Sequence, residues 1–117
     1  MSFFIGDTPF GFDFERGRWA MPYSGAVFVA LHGAAGSWAG ERVVVVATDP
    51  STGMPKPGSN VPGITPGAMA DFLTGYEDGT RSHGRPTSIE FANDGRMFVG
   101  NDTNGDIFWI APLDLVR

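Results

Sequence analysis

An internal repeat constrains what this chain can fold into more than any other feature. Pro9-Phe-Gly-Phe-Asp-Phe14 matches Pro86-Thr-Ser-Ile-Glu-Phe91. Each copy leads through a turn to an apolar segment, Val27-Phe28-Val29-Ala30 in the first and Met97-Phe98-Val99-Gly100 in the second. A third apolar segment follows in each, Val43 to Ala47 and Ile107 to Ala111. Self-similarity of this kind marks repeat architectures, in which each unit buries a face against its neighbour. The order strand, turn, strand, loop, strand, given twice, suits the four-stranded antiparallel blade of a β-propeller.

Local signals agree with strands. Seventeen Gly and nine Pro cut the chain into short segments, and β-branched and aromatic residues fill the gaps between them. Phe10 to Phe14 alternates with period two, and Glu15-Arg16-Gly17 reads as a turn. Gly25 to Leu31 and Glu41 to Thr48 are too continuously apolar for half-exposed strands, so both are expected inside a sheet. Five prolines and four glycines between Asp49 and Gly67 make that stretch a loop. Ala68 to Tyr76 could form a short helix or an outer strand, and the Glu-Asp-Gly after it favours the strand. Thr87 to Phe91, Arg96 to Gly100 and Asp106 to Ala111 are three further strands. Asn93-Asp94-Gly95 and Asn104-Gly105 separate them, because Asn, Asp and Gly accept the positive φ of tight turns. The expected fold is all-β: residues 1–117 form one domain of about two antiparallel four-stranded propeller blades. The first blade spans 1–79 with the Pro/Gly loop at 49–67, and the second spans 80–117.

Several function classes are disfavoured by composition. Eight basic residues against thirteen acidic ones, with no basic cluster, argue against nucleic-acid binding, which rests on grouped Lys and Arg. Wholly apolar runs such as Val43 to Ala47 are far short of the roughly 20 residues of a membrane helix. The absence of cysteine removes disulfides, thiolate metal sites and cysteine nucleophiles but leaves the compartment open. Residues 1–6 lack the basic start and long apolar stretch of a secretory signal, so the chain is expected to be cytosolic, processed, or part of something longer.

Only His32 and His83 titrate near neutrality. His32 reads either as a pocket-lining residue or as a strand-end histidine donating to a backbone carbonyl, and neither histidine has an evident partner in sequence. His83, in Ser-His-Gly-Arg, reads as a solvated loop residue. Asn101 to Asp106 carries oxygens at calcium-loop spacing but lacks the bidentate Glu of an EF-hand, and an Asn/Gly hairpin turn accounts for it more simply. Ser37 has no nucleophile-elbow context, and Gly33 to Gly40 has no Lys-Ser or Lys-Thr of a phosphate loop. Trp109, inside Ile107-Phe-Trp-Ile110, is expected in a core or an interface. Trp38, in a polar glycine-rich loop, is the candidate to stack on a sugar ring.

At these residues the sequence resembles the C-terminal part of the soluble quinoprotein sugar dehydrogenases. These are the glucose/sorbosone dehydrogenase family of six-bladed propellers, which use pyrroloquinoline quinone (PQQ). Pro9 to Phe14 is similar to the family's first strand of a blade, and Gly25-Ala-Val-Phe-Val-Ala-Leu-His-Gly33 to its strand ending in Leu-His-Gly. Asp71-Phe-Leu-Thr-Gly75 is similar to an outer strand, and His83-Gly-Arg-Pro86 with Ile89 to Asp102 to the final blade. The resemblance implies that Arg85 meets carboxylates of the quinone, as a bidentate guanidinium can, and that His32 lies near the cofactor. The plain alternative for Arg85 is an ion pair with a nearby carboxylate such as Asp102. Gly33 to Trp38 departs from the family pattern by an apparent three-residue insertion, with Ala39 in place of Asn. The catalytic base and calcium ligands of relatives lie in blades this chain lacks, so no catalytic or metal-ligating residue is assigned, and calcium remains a cofactor by resemblance only.

Two functions follow. One is a partial sugar-dehydrogenase-like propeller that keeps part of a quinone and sugar pocket without catalysis on its own. The other is an oligomeric propeller module that binds carbohydrate or another small ligand without chemistry. In either, two blades leave apolar faces bare, so a homo-oligomer is expected, most simply a trimer that closes six blades into a ring.

Overall fold

The computed structural model describes residues 7–33, 40–49, 51–54 and 69–116. Its seven strands form two antiparallel sheets. The first has the order β1 (Pro9–Phe14), β2 (Val27–Leu31), β3 (Arg42–Val46) and β4 (Ala70–Leu73). The second has the order β5 (Pro86–Phe91), β6 (Met97–Asn101) and β7 (Ile107–Ile110). The sheets correspond to partial propeller blades, and the ambiguous segment around Ala70 is a strand paired with β3. The second sheet departs from the expected four strands. After β7, Pro112, which has no N–H to give a ladder, leads into a 3-10 turn at Leu113–Leu115, and no fourth strand follows among the described residues.

The two copies of the repeat fold alike. Phe12 pairs with Val29, and Ile89 with Val99; Phe28 pairs with Val45, and Phe98 with Trp109. Phe12 is therefore the counterpart of Ile89, Phe14 of Phe91, Val43 of Ile107 and Val45 of Trp109. Both tight turns use a glycine at positive φ, Gly95 at 93° and Gly105 at 72°.

Strands β2 and β3 read as unbroken apolar runs because both their faces are covered. Phe28, Ala30, Val43 and Val45 face the second sheet and pack with Ile89, Phe91, Met97 and Val99. Val27, Val29, Leu31, Val44 and Val46 form a second cluster on the opposite face, with Met69 against it. Trp109, expected in a core or interface, is half exposed on the outer face of the second sheet, with the Arg96 guanidinium 5.7 Å from its ring centroid.

Trp19, in the β1–β2 connection, pins the sheets together. Its ring centroid lies 5.4 Å from that of Phe28 in the first sheet and 5.4 Å from that of Phe91 in the second. Its Nε1–H donates across to the Gly95 carbonyl at 2.7 Å. The buried carboxylate of Glu15 holds the connection in shape. Its Oε1 accepts the backbone N–H groups of Arg18 and Trp19 at 2.6 and 2.8 Å, and its Oε2 those of Gly17 and Gly25 at 2.7 and 2.8 Å. Gly11 lets β1 and β5 touch, since a Cβ there would stand 2.6 Å from the Thr87 carbonyl oxygen.

Trp19→Ala is expected to cost about 3–5 kcal/mol in chemical denaturation, because it opens a cavity at the junction and orphans the Gly95 carbonyl. A second expectation concerns Tyr76, whose buried hydroxyl has no hydrogen-bond partner among the described residues and whose pKa burial pushes up to about 12. A raised folded-state pKa stabilises the neutral form. That contribution is whole below the phenol's ordinary value of about 10 and is lost as pH rises toward about 12. Tyr76→Phe should therefore leave neutral-pH stability unchanged or slightly higher, and should flatten the stability loss above pH ~10 in pH-stepped denaturant melts.

Candidate functional site

His32, Glu41, Arg85 and Asp102 meet at one end of the two sheets, each just beyond a strand terminus. His32 follows β2 and Glu41 precedes β3, while Arg85 precedes β5 and Asp102 stands one residue past β6. The repeat makes His32 and Asp102 counterparts, since each follows the last residue of the second strand. The backbone N–H of His32 donates to the Thr8 carbonyl at 3.0 Å, and that of Asp102 to the Arg85 carbonyl at 3.2 Å, so Thr8 and Arg85 are counterparts as well.

Arg85 and His32 are joined directly. The Arg85 Nη1–H donates to the His32 carbonyl at 3.2 Å. The charge partner of Arg85 is Glu41, with Nη2 2.8 Å from Oε1, so Arg85 does pair with a carboxylate, though not with Asp102, the example named as the plain alternative. The Glu41 side chain is fully buried. Its contact with Arg85 is an ion pair at an angle that makes no hydrogen bond, and Oε2 meets no donor among the described residues. Glu41 also holds φ at 48°, in the left-handed region that few non-glycine residues adopt. The preceding Gly40, at φ 80°, sits where a Cβ would clash 2.5 Å from Gly33, which fixes the approach of the chain to Glu41. A buried, strained carboxylate with an unused oxygen is costly unless something else meets it.

The side chain of His32 is engaged on both nitrogens. Nδ1 lies 2.8 Å from the Gly33 carbonyl and Nε2 2.9 Å from Asp102 Oδ2. Both partners are acceptors, the arrangement that a protonated ring, donating from both nitrogens, satisfies in full. The ring also packs against Phe10, with centroids 4.8 Å apart. With both carboxylates ionised, one guanidinium faces two negative charges, so the cluster has no net positive charge whether His32 is neutral or protonated.

The other sequence candidates fall elsewhere. His83 pairs with Asp78 at 2.9 Å on the surface, and the Thr80 hydroxyl, followed by His83, holds the Asp78 carboxyl well below the usual carboxylate range. The Asn101 to Asp106 segment is a hairpin turn whose side-chain oxygens are taken up by hydrogen bonds within the protein. Asn101 Oδ1 accepts from the Arg85 N–H at 2.7 Å, Asn104 Oδ1 from Asn101 Nδ2 at 2.9 Å, and Asp106 Oδ2 from Asn104 Nδ2 at 2.7 Å. Among the described residues no group of three or more acidic or histidine side chains is set to hold a metal. No helix among them is long and apolar enough to cross a membrane. Trp38 and Ser37 lie outside the described residues. Two surface depressions, one beside Tyr76 and Phe108 and one beside Glu15 and Asp49, contain neither Arg85 nor His32.

No family model and no curated protein matches the chain. It is similar in structure to the holo form of the pyranose dehydrogenase PQQ domain from Coprinopsis cinerea, with a TM-score of 0.65 and 27% sequence identity. The match covers 92% of this chain and 27% of that one, so the chain corresponds to only part of that domain. The likeness supports a fold of the PQQ-dependent sugar dehydrogenase type.

Arg85→Ala strands the Glu41 carboxylate in a dry environment and is expected to cost about 3–5 kcal/mol. The double substitution Arg85→Met with Glu41→Gln should recover most of that loss, since it leaves no uncompensated charge. Denaturant melts of the two variants read the difference.

Proposed function

We propose that this chain is two blades of a PQQ-dependent sugar-dehydrogenase-like propeller, with Arg85 and His32 on one edge of a quinone site and Trp38 on its sugar side. Support comes from one combined observation: a likeness over 92% of the chain to a PQQ domain, together with the meeting of Arg85 and His32 at one end of the sheets. The residues fit one carboxylate of such a cofactor. Arg85 uses two of its nitrogens on Glu41 and His32 and keeps further N–H donors, in the fork that suits a carboxylate. They do not fit a whole tricarboxylate, because Glu41 and Asp102 offset the available positive charge. The remaining carboxylates, a catalytic base and a calcium ion would have to be met by residues outside this chain, which on this reading does not turn over sugar alone. When bound, the quinone would supply the two-electron acceptor for oxidation of the sugar. The role of this chain is to hold and orient one edge of it.

A second reading has a specific observation behind it. A site in which a guanidinium is already neutralised, beside a histidine–carboxylate pair and an unused carboxylate oxygen, suits the hydroxyl groups of a neutral carbohydrate better than an anion. The chain would then be a binding module without chemistry, with Trp38 stacking on the sugar ring.

Titration of the folded chain with PQQ, followed by tryptophan fluorescence, separates the two. On the quinone reading Glu41→Gln frees the Arg85 charge and should tighten binding by about tenfold, roughly the 1.4 kcal/mol that a strengthened charge-assisted contact provides. Arg85→Met with Glu41→Gln should abolish it. Binding that ignores both variants would sink the role of Arg85. Sugar binding lost in Trp38→Ala, with no quinone effect in any variant, would establish the second reading.

A further inference from the structure

Phe10 is an aromatic residue that touches the polar cluster and that the core does not use. It lies in β1, belongs to neither apolar cluster of the sheets, and is 58% exposed. Its ring packs on that of His32, with 4.8 Å between centroids and a tilt of 32°. A β-bulge sets this position. Pro9 pairs with Leu31 and Phe12 with Val29, so Phe10 and Gly11 together stand opposite Ala30. Gly11 takes up the close approach to β5, and Phe10 is left to stand over the histidine.

The bulge does not itself require an aromatic side chain. Strand β5 carries the same irregularity, with Pro86 opposite Asn101 and Ser88 opposite Gly100, and there the counterpart of Phe10 is Thr87. The Thr87 hydroxyl donates to the Gly100 carbonyl at 3.3 Å. Position 10 therefore answers to its surroundings at the cluster rather than to the geometry of the strand. Those surroundings have the chemistry of a carbohydrate contact. An aromatic ring covers the C–H face of a sugar through its apolar surface while neighbouring polar groups bond the hydroxyls. Beyond His32, 2.9 Å from its Nε2, the Asp102 carboxylate is half exposed and can accept hydroxyl protons, and Arg85 keeps N–H donors besides those turned to Glu41 and His32.

We propose that Phe10 is the stacking platform of the seam site and that the ligand is a neutral pyranose, its ring on the exposed phenyl face and its hydroxyls toward Asp102 and Arg85. This rests on the carbohydrate reading of the cluster and adds to it the residue that tells a closed ring from an open chain. An acyclic polyol carries the same hydroxyls without the flat C–H face, so Phe10 makes the site prefer the ring.

NMR titration of the chain with D-glucose, D-galactose and D-xylose, and with sorbitol as the open-chain control, reads this directly. At least one pyranose should bind more tightly than sorbitol, with ring C–H protons shifted upfield by the phenyl ring. Phe10→Ala should weaken that binding by about tenfold, remove the upfield shift and abolish the preference over sorbitol. Phe10→Leu keeps apolar support beside His32 but has no flat ring, and should behave as Phe10→Ala does, whereas Phe10→Trp should retain both shift and preference. Phe12→Ala, at an exposed ring two residues along β1, should leave binding unchanged. Pyranose binding undiminished in Phe10→Ala and Phe10→Leu overturns the platform and leaves the carbohydrate reading standing. If no sugar binds, that reading fails and the proposal with it. PQQ binding that weakens in Phe10→Ala, with no sugar bound, overturns the pyranose as occupant.

Discussion

The seam between the two sheets, with Trp19 driven into it, is the contact on which the rest of the structure depends. A sheet of three or four strands has two faces to cover, and each of these two covers one on the other. Trp19 belongs to neither sheet. It comes from the β1–β2 connection, meets aromatic rings of both, and ties its indole N–H to the turn between β5 and β6. Glu15 makes this placement possible, since its carboxylate gathers four backbone N–H groups of the connection that would otherwise be orphaned near the core. Gly11 and Asp13 then bring β1 onto β5, the first by having no side chain in the way and the second by accepting the N–H of Phe91. Once β1 and β5 are fixed side by side, the ends of β2, β3, β5 and β6 are brought together, and with them His32, Glu41, Arg85 and Asp102.

The electrostatics of that cluster turn on Glu41. An arginine at the start of a strand, next to a histidine, would by itself make an anion site. A fully buried carboxylate at 2.8 Å changes its character, because the guanidinium arrives with most of its charge already answered. Burial of the pair is costly in itself, and the unused Oε2 together with the left-handed backbone at Glu41 adds to that cost. Arrangements of this kind persist where surrounding contacts over-determine them, and here Gly40 against Gly33 does so. The cluster is better described as a balanced polar network at a seam than as a positive pocket, and any ligand that enters has to compete with contacts already made.

Much of the scaffold was legible in the sequence because strand periodicity and turn chemistry are local. The bounds Pro9–Phe14 and Pro86–Phe91 coincide with the repeat read from residues alone, and the glycines of Asn-Asp-Gly and Asn-Gly take the positive φ expected of them. Arg85 and His32 were also singled out, though their meeting depends on packing between the sheets. Glu41 was missed because it read as the first residue of an apolar strand, Glu-Arg-Val-Val-Val-Val. The available signal was a charge placed against a run buried on both faces, where an acidic side chain has no water to turn to. Trp19 gave no signal of its importance, since a tryptophan in a connection reads as a loop residue until the second sheet is set against it. Pairings across the seam, Arg85 with Glu41 and His32 with Asp102, join residues far apart in sequence, and no local pattern reports them.

Placing the polar cluster at the seam links binding to folding. His32 and Glu41 belong to the first sheet, Arg85 and Asp102 to the second, and each of the two close pairs spans the junction. A ligand that touches both sides is bound only when the sheets are packed, so it stabilises the packed state by RT ln(1 + [L]/Kd). The converse follows from the same cycle. Whatever holds the sheets together, Trp19 foremost, also holds the four side chains within reach of one another and spares a ligand the cost of assembling them. The repeat strengthens this coupling, because His32 and Asp102 are the same position in successive units and can meet only if those units stack in register. A chain of this kind therefore carries its site as a property of stacking.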